Sequence, residues 1–211
     1  MRLTSRSRKV LLTAHVTSAV GWMGAVACYL TLAVAGLMGQ HSETVQAAYI
    51  SMNLISWFVI VPLGIATPAA GIFQAIGTPW GLMRHYWVAT KFLVTIPCSI
   101  VLLMHMLPTI QLAQAAFQGQ VGGDALRDLR VQLIADSAVA LVVLVLAAAL
   151  AVSKPKGLTE HGARGRGDDV ASHRVPTWVT WMRRTGWALA LAFLAAHIAG
   201  KGVGGHGMHF H

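Results

Sequence analysis

The sequence is poor in charge and poorest in negative charge. Of its 211 residues only 11% are Asp, Glu, Lys or Arg, and 7 are acidic. A soluble globular domain carries roughly 25% charged residues, so this shortage excludes an ordinary water-facing surface. Cysteine is scarce too. Cys28 and Cys98 both fall inside apolar runs, which excludes a disulfide framework and says little about redox compartment. There is also no internal repeat, and no stretch has the composition of a second globular domain.

What is present is apolar length. Hydrophobic residues make up 55% of the chain and mean hydropathy is +0.61. Four runs, 10–38, 52–77, 87–107 and 133–152, reach or exceed the roughly 20 residues that a helix needs to cross a bilayer. A fifth, 179–199, is interrupted at its start by Arg183 and Arg184. The expected fold is therefore all-α, a polytopic transmembrane helical bundle. It divides into a four-helix core over 1–153, a basic Gly-rich inner linker over 154–177, a fifth transmembrane helix over 178–200, and a disordered His-rich tail over 201–211. The lipid bilayer is the first partner, with a homo-oligomer or another membrane subunit as further candidates.

A net charge of +9 could indicate nucleic acid, but its distribution indicates topology instead. Arg2, Arg6, Arg8 and Lys9 precede the first run, Arg84 lies between the second and third, and Lys154, Lys156, Arg164, Arg166, Arg174, Arg183 and Arg184 lie between the fourth and fifth. The loops 39–51 and 108–131 hold only Arg127 and Arg130 against Glu43, Asp124 and Asp128. The positive-inside rule then gives an inner-membrane protein with its amino terminus inside and its carboxyl terminus outside, and no nucleic-acid role. Part of the basic charge suits anionic lipid head groups. The first run continues ten residues past Cys28, so it reads as an uncleaved span and not as a signal peptide. Within 108–131, a short outer helix from Pro108 is expected to stop near Gly122 and Gly123, with Asp124 capping the next turn.

The apolar runs carry polar residues in stripes. Positions seven apart on a helix fall about 20° apart, so His15, Trp22 and Tyr29 share one face of the first run. On the third run Lys91 and His105 lie within about 40° of each other, with Trp87 four residues before Lys91 on the same face. Asn53, Thr67 and Gln74 form a rough stripe on the second, where Pro62 and Pro68 should bend the helix and free carbonyls. His15 follows Lys9 by six residues and Lys91 follows Arg84 by seven, so both sit about 9 to 11 Å inside the inner boundary and within reach of each other. His105, His197 and Asp136 belong near the outer boundary.

Titratable groups at such depth are costly and usually face a bundle interior or cavity. Plainer readings stand beside the functional ones: Lys91 snorkelling to the interface, His15 bonded to a carbonyl, His85, His105 and His197 as interfacial residues, and Trp22 with Tyr29 as packing. The combination favours a cofactor. Histidine is a common axial ligand of haem, and bundle cores hold such groups between facing helices. Trp22, Trp57 and Trp87 would supply flat walls, and Gly21, Gly24, Gly64 and Gly71 would supply room, although small residues also serve helix packing in lipid.

The segment HVTSAVGWMG of the first run, with WVATK and then LMH in the third, resembles the His and Trp–Lys–His signatures of bacterial haem-containing protoporphyrinogen oxidases. It also resembles the copper resistance D-type membrane domains. The run from WFVIVP through GTPWGLMRHYWVATK is similar to actinobacterial integral membrane proteins of a family with no assigned function, over roughly the first 107 residues. The oxidase resemblance implies His15 as a haem ligand and Lys91 as an essential polar partner, with electrons passing from a porphyrin substrate towards quinone. The fifth helix, the tail and the longer outer loop depart from that compact pattern. The copper-domain resemblance directs attention to His206, Met208, His209 and His211, whose nitrogen and thioether donors suit copper or zinc, although four ligands in a floppy tail make a weak site and a merely polar terminus is the favoured explanation.

The expected function is binding of haem b or a related redox cofactor. The expected site is His15, Trp22 and Lys91, with His105 and His197 forming an outer site. Two alternatives use the same residues: a copper-handling or proton-coupled carrier with a polar path, and a non-catalytic accessory subunit whose stripes mediate helix contacts.

Overall fold

The computed structural model describes residues 4–77, 85–104, 106–120, 124–153, 159, 175–181 and 184. Helix α1 (Ser5–Met38) opens on Thr4, whose hydroxyl accepts from the Ser7 N–H at 3.3 Å and satisfies one of the donors left over at a helix start. After a short turn, α2 (Ser42–Ile55) runs through a π-helical turn at Ser56–Ile60 into α3 (Val61–Ile76) without a break. Pro62 has no N–H to give to the turn before it. The helix takes up the mismatch as a widened turn in which the Val61 N–H reaches the Ser56 carbonyl, while the Ser56 hydroxyl donates to the Met52 carbonyl at 2.7 Å.

Helices α4 (Tyr86–Met104) and α5 (Met106–Phe117) follow on either side of residue 105. The chain then turns at Gly119, whose φ of 67° is the left-handed conformation that closes a helix C-terminus and that only glycine adopts freely. Helix α6 (Asp124–Ser153) completes the bundle. Among the described residues there is no strand, and four stretches are long and apolar enough to cross a membrane: Ser5–Met38, Ser42–Ile76, Tyr86–Phe117 and Leu126–Ser153. The protein is an all-α helical bundle and a multi-pass membrane protein.

These helices exceed the apolar runs that announce them. Residues 42–51, expected as loop, already belong to α2, and α6 starts nine residues before its apolar run. A helix satisfies its own backbone, so it can continue beyond the hydrocarbon through polar residues that hydropathy scores as loop. The expected outer helix from Pro108 is real but begins at Met106 and ends at Phe117. Gly122 and Gly123, and the side chain of Asp124, lie outside the described residues. So do nearly all of the linker, the fifth span and the tail.

Helix α1 is the centre of the bundle and packs against α2, α3 and α6, while α4 bridges α3 and α6 and α5 lies on α2. Its inward face is His15, Ser18, Trp22, Ala25, Val26, Tyr29, Ala33 and Gly36, the expected stripe filled in and extended past Tyr29 to Gly36. Many large apolar side chains, among them Phe58, Leu93 and Val142, point outward, as a lipid-facing surface requires. The bundle thus has a basic end, where α1 starts, and a turn end, where α1 passes into α2.

Candidate functional site

Near the basic end, α1, α3 and α4 bring together the residues that the stripes single out. His15 is buried, with 8% of its surface exposed. Its Nδ1 lies 3.0 Å from the Thr67 carbonyl on α3, and its Nε2 lies 2.9 Å from the Lys91 Nζ on α4. A carbonyl only accepts, so Nδ1 carries the proton and donates. That leaves Nε2 with a lone pair, which accepts from the Lys91 ammonium. The alternative protonation state places the proton on Nε2 and leaves Lys91 neutral. A neutral Lys91 amine donates to the same lone pair, so the contact holds in each protonation state.

The local sequence builds this geometry. Ser18 donates back to the His15 carbonyl at 3.0 Å, inside α1. Gly71 makes the approach possible, since a Cβ there would lie 3.1 Å from His15 Cε1 and 3.4 Å from Phe92 Cζ. Two turns towards the turn end, Trp22 is fully buried with its indole against Gly64, where a Cβ would meet the ring at 3.4 Å. Pro68 cannot donate to the Gly64 carbonyl four residues earlier, and Ser99 from α4 donates to that carbonyl at 3.3 Å. Thr67 Oγ1, on the residue that anchors His15, and Trp22 Nε1, two turns along α1, are buried without a hydrogen-bond partner among the described residues.

The expected meeting of His15 and Lys91 is thus observed, and Trp22 lies on the same face one stripe position along. Other expectations are corrected. Trp57 is 48% exposed and faces outward from the π-helical turn, so it is no wall of this site. Asn53 and Thr67 do not form one stripe with a common purpose, because the π-helical turn between them changes the phase of the helix. Thr67 joins His15, whereas Asn53 lies towards the turn end. Gly21, Gly64 and Gly71 do not leave open clearance; they seat Leu63, Trp22 and His15 respectively, and only the position at Gly24 has nothing within 4 Å. His105 and His197, and the tail residues His206, Met208, His209 and His211, lie outside the described residues.

The donor chemistry fits one axial ligand to haem. A ligating histidine typically donates its other ring N–H to a carbonyl or carboxylate, and His15 already does so to Thr67. Nε2 is the remaining donor atom, and Lys91 engages it. Among the described residues no three His, Cys, Asp or Glu side chains gather into a metal-binding group.

Sequence reasoning missed a second polar cluster, towards the turn end. Tyr29 and Thr109 share a hydrogen bond of 2.7 Å between α1 and α5. Tyr49, 1% exposed, lies against Gly36, and the Arg130 guanidinium sits 5.6 Å from the Tyr49 ring centroid. Tyr49 falls in a segment that hydropathy assigns to a loop, and Arg130 was read only as a topology charge; the signal available was Gly36, in register with the α1 stripe and facing a large residue. No family model matches this chain, and no curated protein and no solved structure matches it.

Proposed function

We propose that the protein is a redox protein of the bacterial inner membrane that holds haem b or a related cofactor at the His15–Lys91 pair, with its amino terminus inside. The observation that carries this reading is the bonding of His15. Its Nδ1 is anchored by the Thr67 carbonyl, and its Nε2 points at a cation on a flexible stem. In this reading Nε2 is the ligand atom, and Lys91 turns from it to an acidic or carbonyl oxygen of the cofactor, a propionate or a quinone carbonyl. Thr67 Oγ1, buried without a partner among the described residues, is a further group that such an oxygen would engage. When bound, haem supplies one-electron chemistry; the chain supplies orientation, a positive charge and exclusion of water.

The test is the absorption spectrum of the detergent-purified protein, oxidised and then reduced with dithionite. A Soret band that shifts on reduction and is lost or altered in His15→Ala supports the reading. A flat visible spectrum from cells with adequate haem sinks it.

One observation favours a second reading, proton-coupled transport. Two bases are in direct contact with no carboxylate bonded to either among the described residues, and such a pair can pass a proton on when a substrate approaches. A colourless protein whose reconstituted vesicles show substrate-driven proton movement, abolished by Lys91→Met, would establish it. The copper-handling version of this reading rests on the His-rich tail and predicts metal-dependent growth that changes when the tail is removed.

A further inference from the structure

The turn end contains a half-buried cation that has no acceptor among the described residues. Arg130 reaches from α6 to the ring of Tyr49 on α2, and its Nε and Nη2 are buried without an acceptor. The Tyr49 hydroxyl is also buried without a partner, on a side chain that is 1% exposed. One turn further along the same face of α2, the Asn53 side-chain oxygen is a third buried polar atom with no partner. Stacking on a ring offers a guanidinium some stabilisation, but it satisfies none of its N–H groups.

Such an arrangement is expensive if nothing completes it. A buried donor left unmade costs more than a typical hydrogen bond gains, and cations within membrane spans normally pair with an acidic group or a carbonyl. The seating of Tyr49 is nevertheless closely specified: Gly36 is the one residue type that leaves room, because a Cβ there would fall 2.6 Å from the ring. The side chain is therefore held in place with its hydroxyl unmade, and Arg130, itself partly accessible, is held over the ring.

The geometry points to an oxyanion-binding site between α1, α2 and α6, in which Arg130 and Tyr49 donate to phosphate oxygens and Asn53 accepts from a hydroxyl of the same ligand. An oxyanion that also carries a hydroxyl matches two kinds of donor beside one acceptor. Monobasic phosphate has this chemistry, and so does the glycerol phosphate head group of an anionic lipid. The charge-assisted bonds to Arg130 give the anion its affinity, and Tyr49 and Asn53 fix its orientation. The site lies away from the His15–Lys91 pair and does not depend on the reading of that pair.

The experiment uses the full chain, stripped of lipid by exchange into a non-ionic detergent, with thermal unfolding followed by tryptophan fluorescence at constant ionic strength. One arm adds inorganic phosphate. The other adds phosphatidylglycerol in mixed micelles, with a neutral diacylglycerol as control. At least one arm should raise the unfolding temperature saturably; the phosphate arm identifies a soluble anion, and the lipid arm alone identifies a head group. Arg130→Gln and Tyr49→Phe should each weaken the apparent affinity, by about tenfold or more for the charge-assisted contact. If Arg130→Gln does not fold, Tyr49→Phe decides, because it keeps the ring beneath the cation and removes only the hydroxyl. Shifts that do not saturate in either arm, or an unchanged affinity in either folded variant, overturn the site.

Discussion

The two ends of the bundle use the same raw materials, a buried aromatic seated on a glycine and a cation brought in from a neighbouring helix, and finish them differently. At the basic end Lys91 has an acceptor in His15, and His15 has another in Thr67, so the chain of bonds closes on the backbone. At the turn end, among the described residues, Arg130 meets a ring face with its Nε and Nη2 unmade, and the Tyr49 hydroxyl has no partner. The lesson concerns what each site can lose. A cation whose acceptor comes from the protein depends on that acceptor for stability, whereas a cation left over a ring depends on something from outside.

The sharpest test of this difference is His15→Ala. It leaves the half-buried Lys91 amine without its acceptor and opens a void beside Gly71 and Phe92. Removing one partner of a buried charged pair typically costs about 3 kcal/mol, and that is the expected loss in reversible unfolding from mixed micelles. Lys91→Met should cost about 1 kcal/mol or less in the same assay, because it removes the cation and leaves only a neutral nitrogen unmade. Equal losses for the two variants would show that the cation is not what needs the histidine.

The turn end breaks differently, through packing. Gly36→Ala places a Cβ 2.6 Å from Tyr49 Cζ and 2.9 Å from its hydroxyl, on a ring with no free space to move into. Overpacking of this kind costs typically about 2 kcal/mol, and it should displace Tyr49 from beneath Arg130 while leaving the His15 end intact. The check is an unfolding measurement paired with the visible spectrum: stability falls, and any cofactor signal from the basic end is unchanged.

Much of the basic end was legible in the sequence, and for a physical reason. The His15, Trp22 and Tyr29 spacing is helical periodicity, and the matched depths of His15 and Lys91 follow from counting residues from the basic flanks. Neither depends on knowing which helices touch. Thr67 as the anchor of His15 was not legible, because the bonding atom is a backbone carbonyl that any residue type would supply. The turn end was hidden for two further reasons. Its helix starts in a segment too polar to score as a span, and the π-helical turn at Ser56–Ile60 shifts the phase, so a stripe drawn from Asn53 through Thr67 joins residues that serve different ends. The proline that causes the turn was visible; the size of the phase change was not.

Tyr29→Phe tests the seam between the ends. It removes the hydrogen bond to Thr109 at 2.7 Å and keeps the ring packed. Hydrogen bonds between helices in membranes average about 0.6 kcal/mol, so a loss near that value is expected, well below either of the larger effects. A loss of several kcal/mol would mean that Tyr29 supports the turn-end cluster more directly than one bond to α5 allows.

The smallest effect is the most specific. Pro68 leaves the Gly64 carbonyl without its helical donor, and Ser99 supplies one from α4 at 3.3 Å while also bonding the Thr95 carbonyl of its own helix at 3.0 Å. Ser99→Ala alone should therefore cost only about 0.5 kcal/mol, since the hydroxyl is shared and its bond to Gly64 is long. In a Pro68→Ala background the backbone N–H returns and can serve the same carbonyl, so the Ser99 substitution should then cost nothing measurable. A double-mutant cycle isolates that coupling, and additive losses would show that Ser99 answers its own helix and not the carbonyl that Pro68 leaves behind. Coupling, in contrast, would mean that the basic end completes even its smallest backbone deficit from within, which the turn end does not do for its cation.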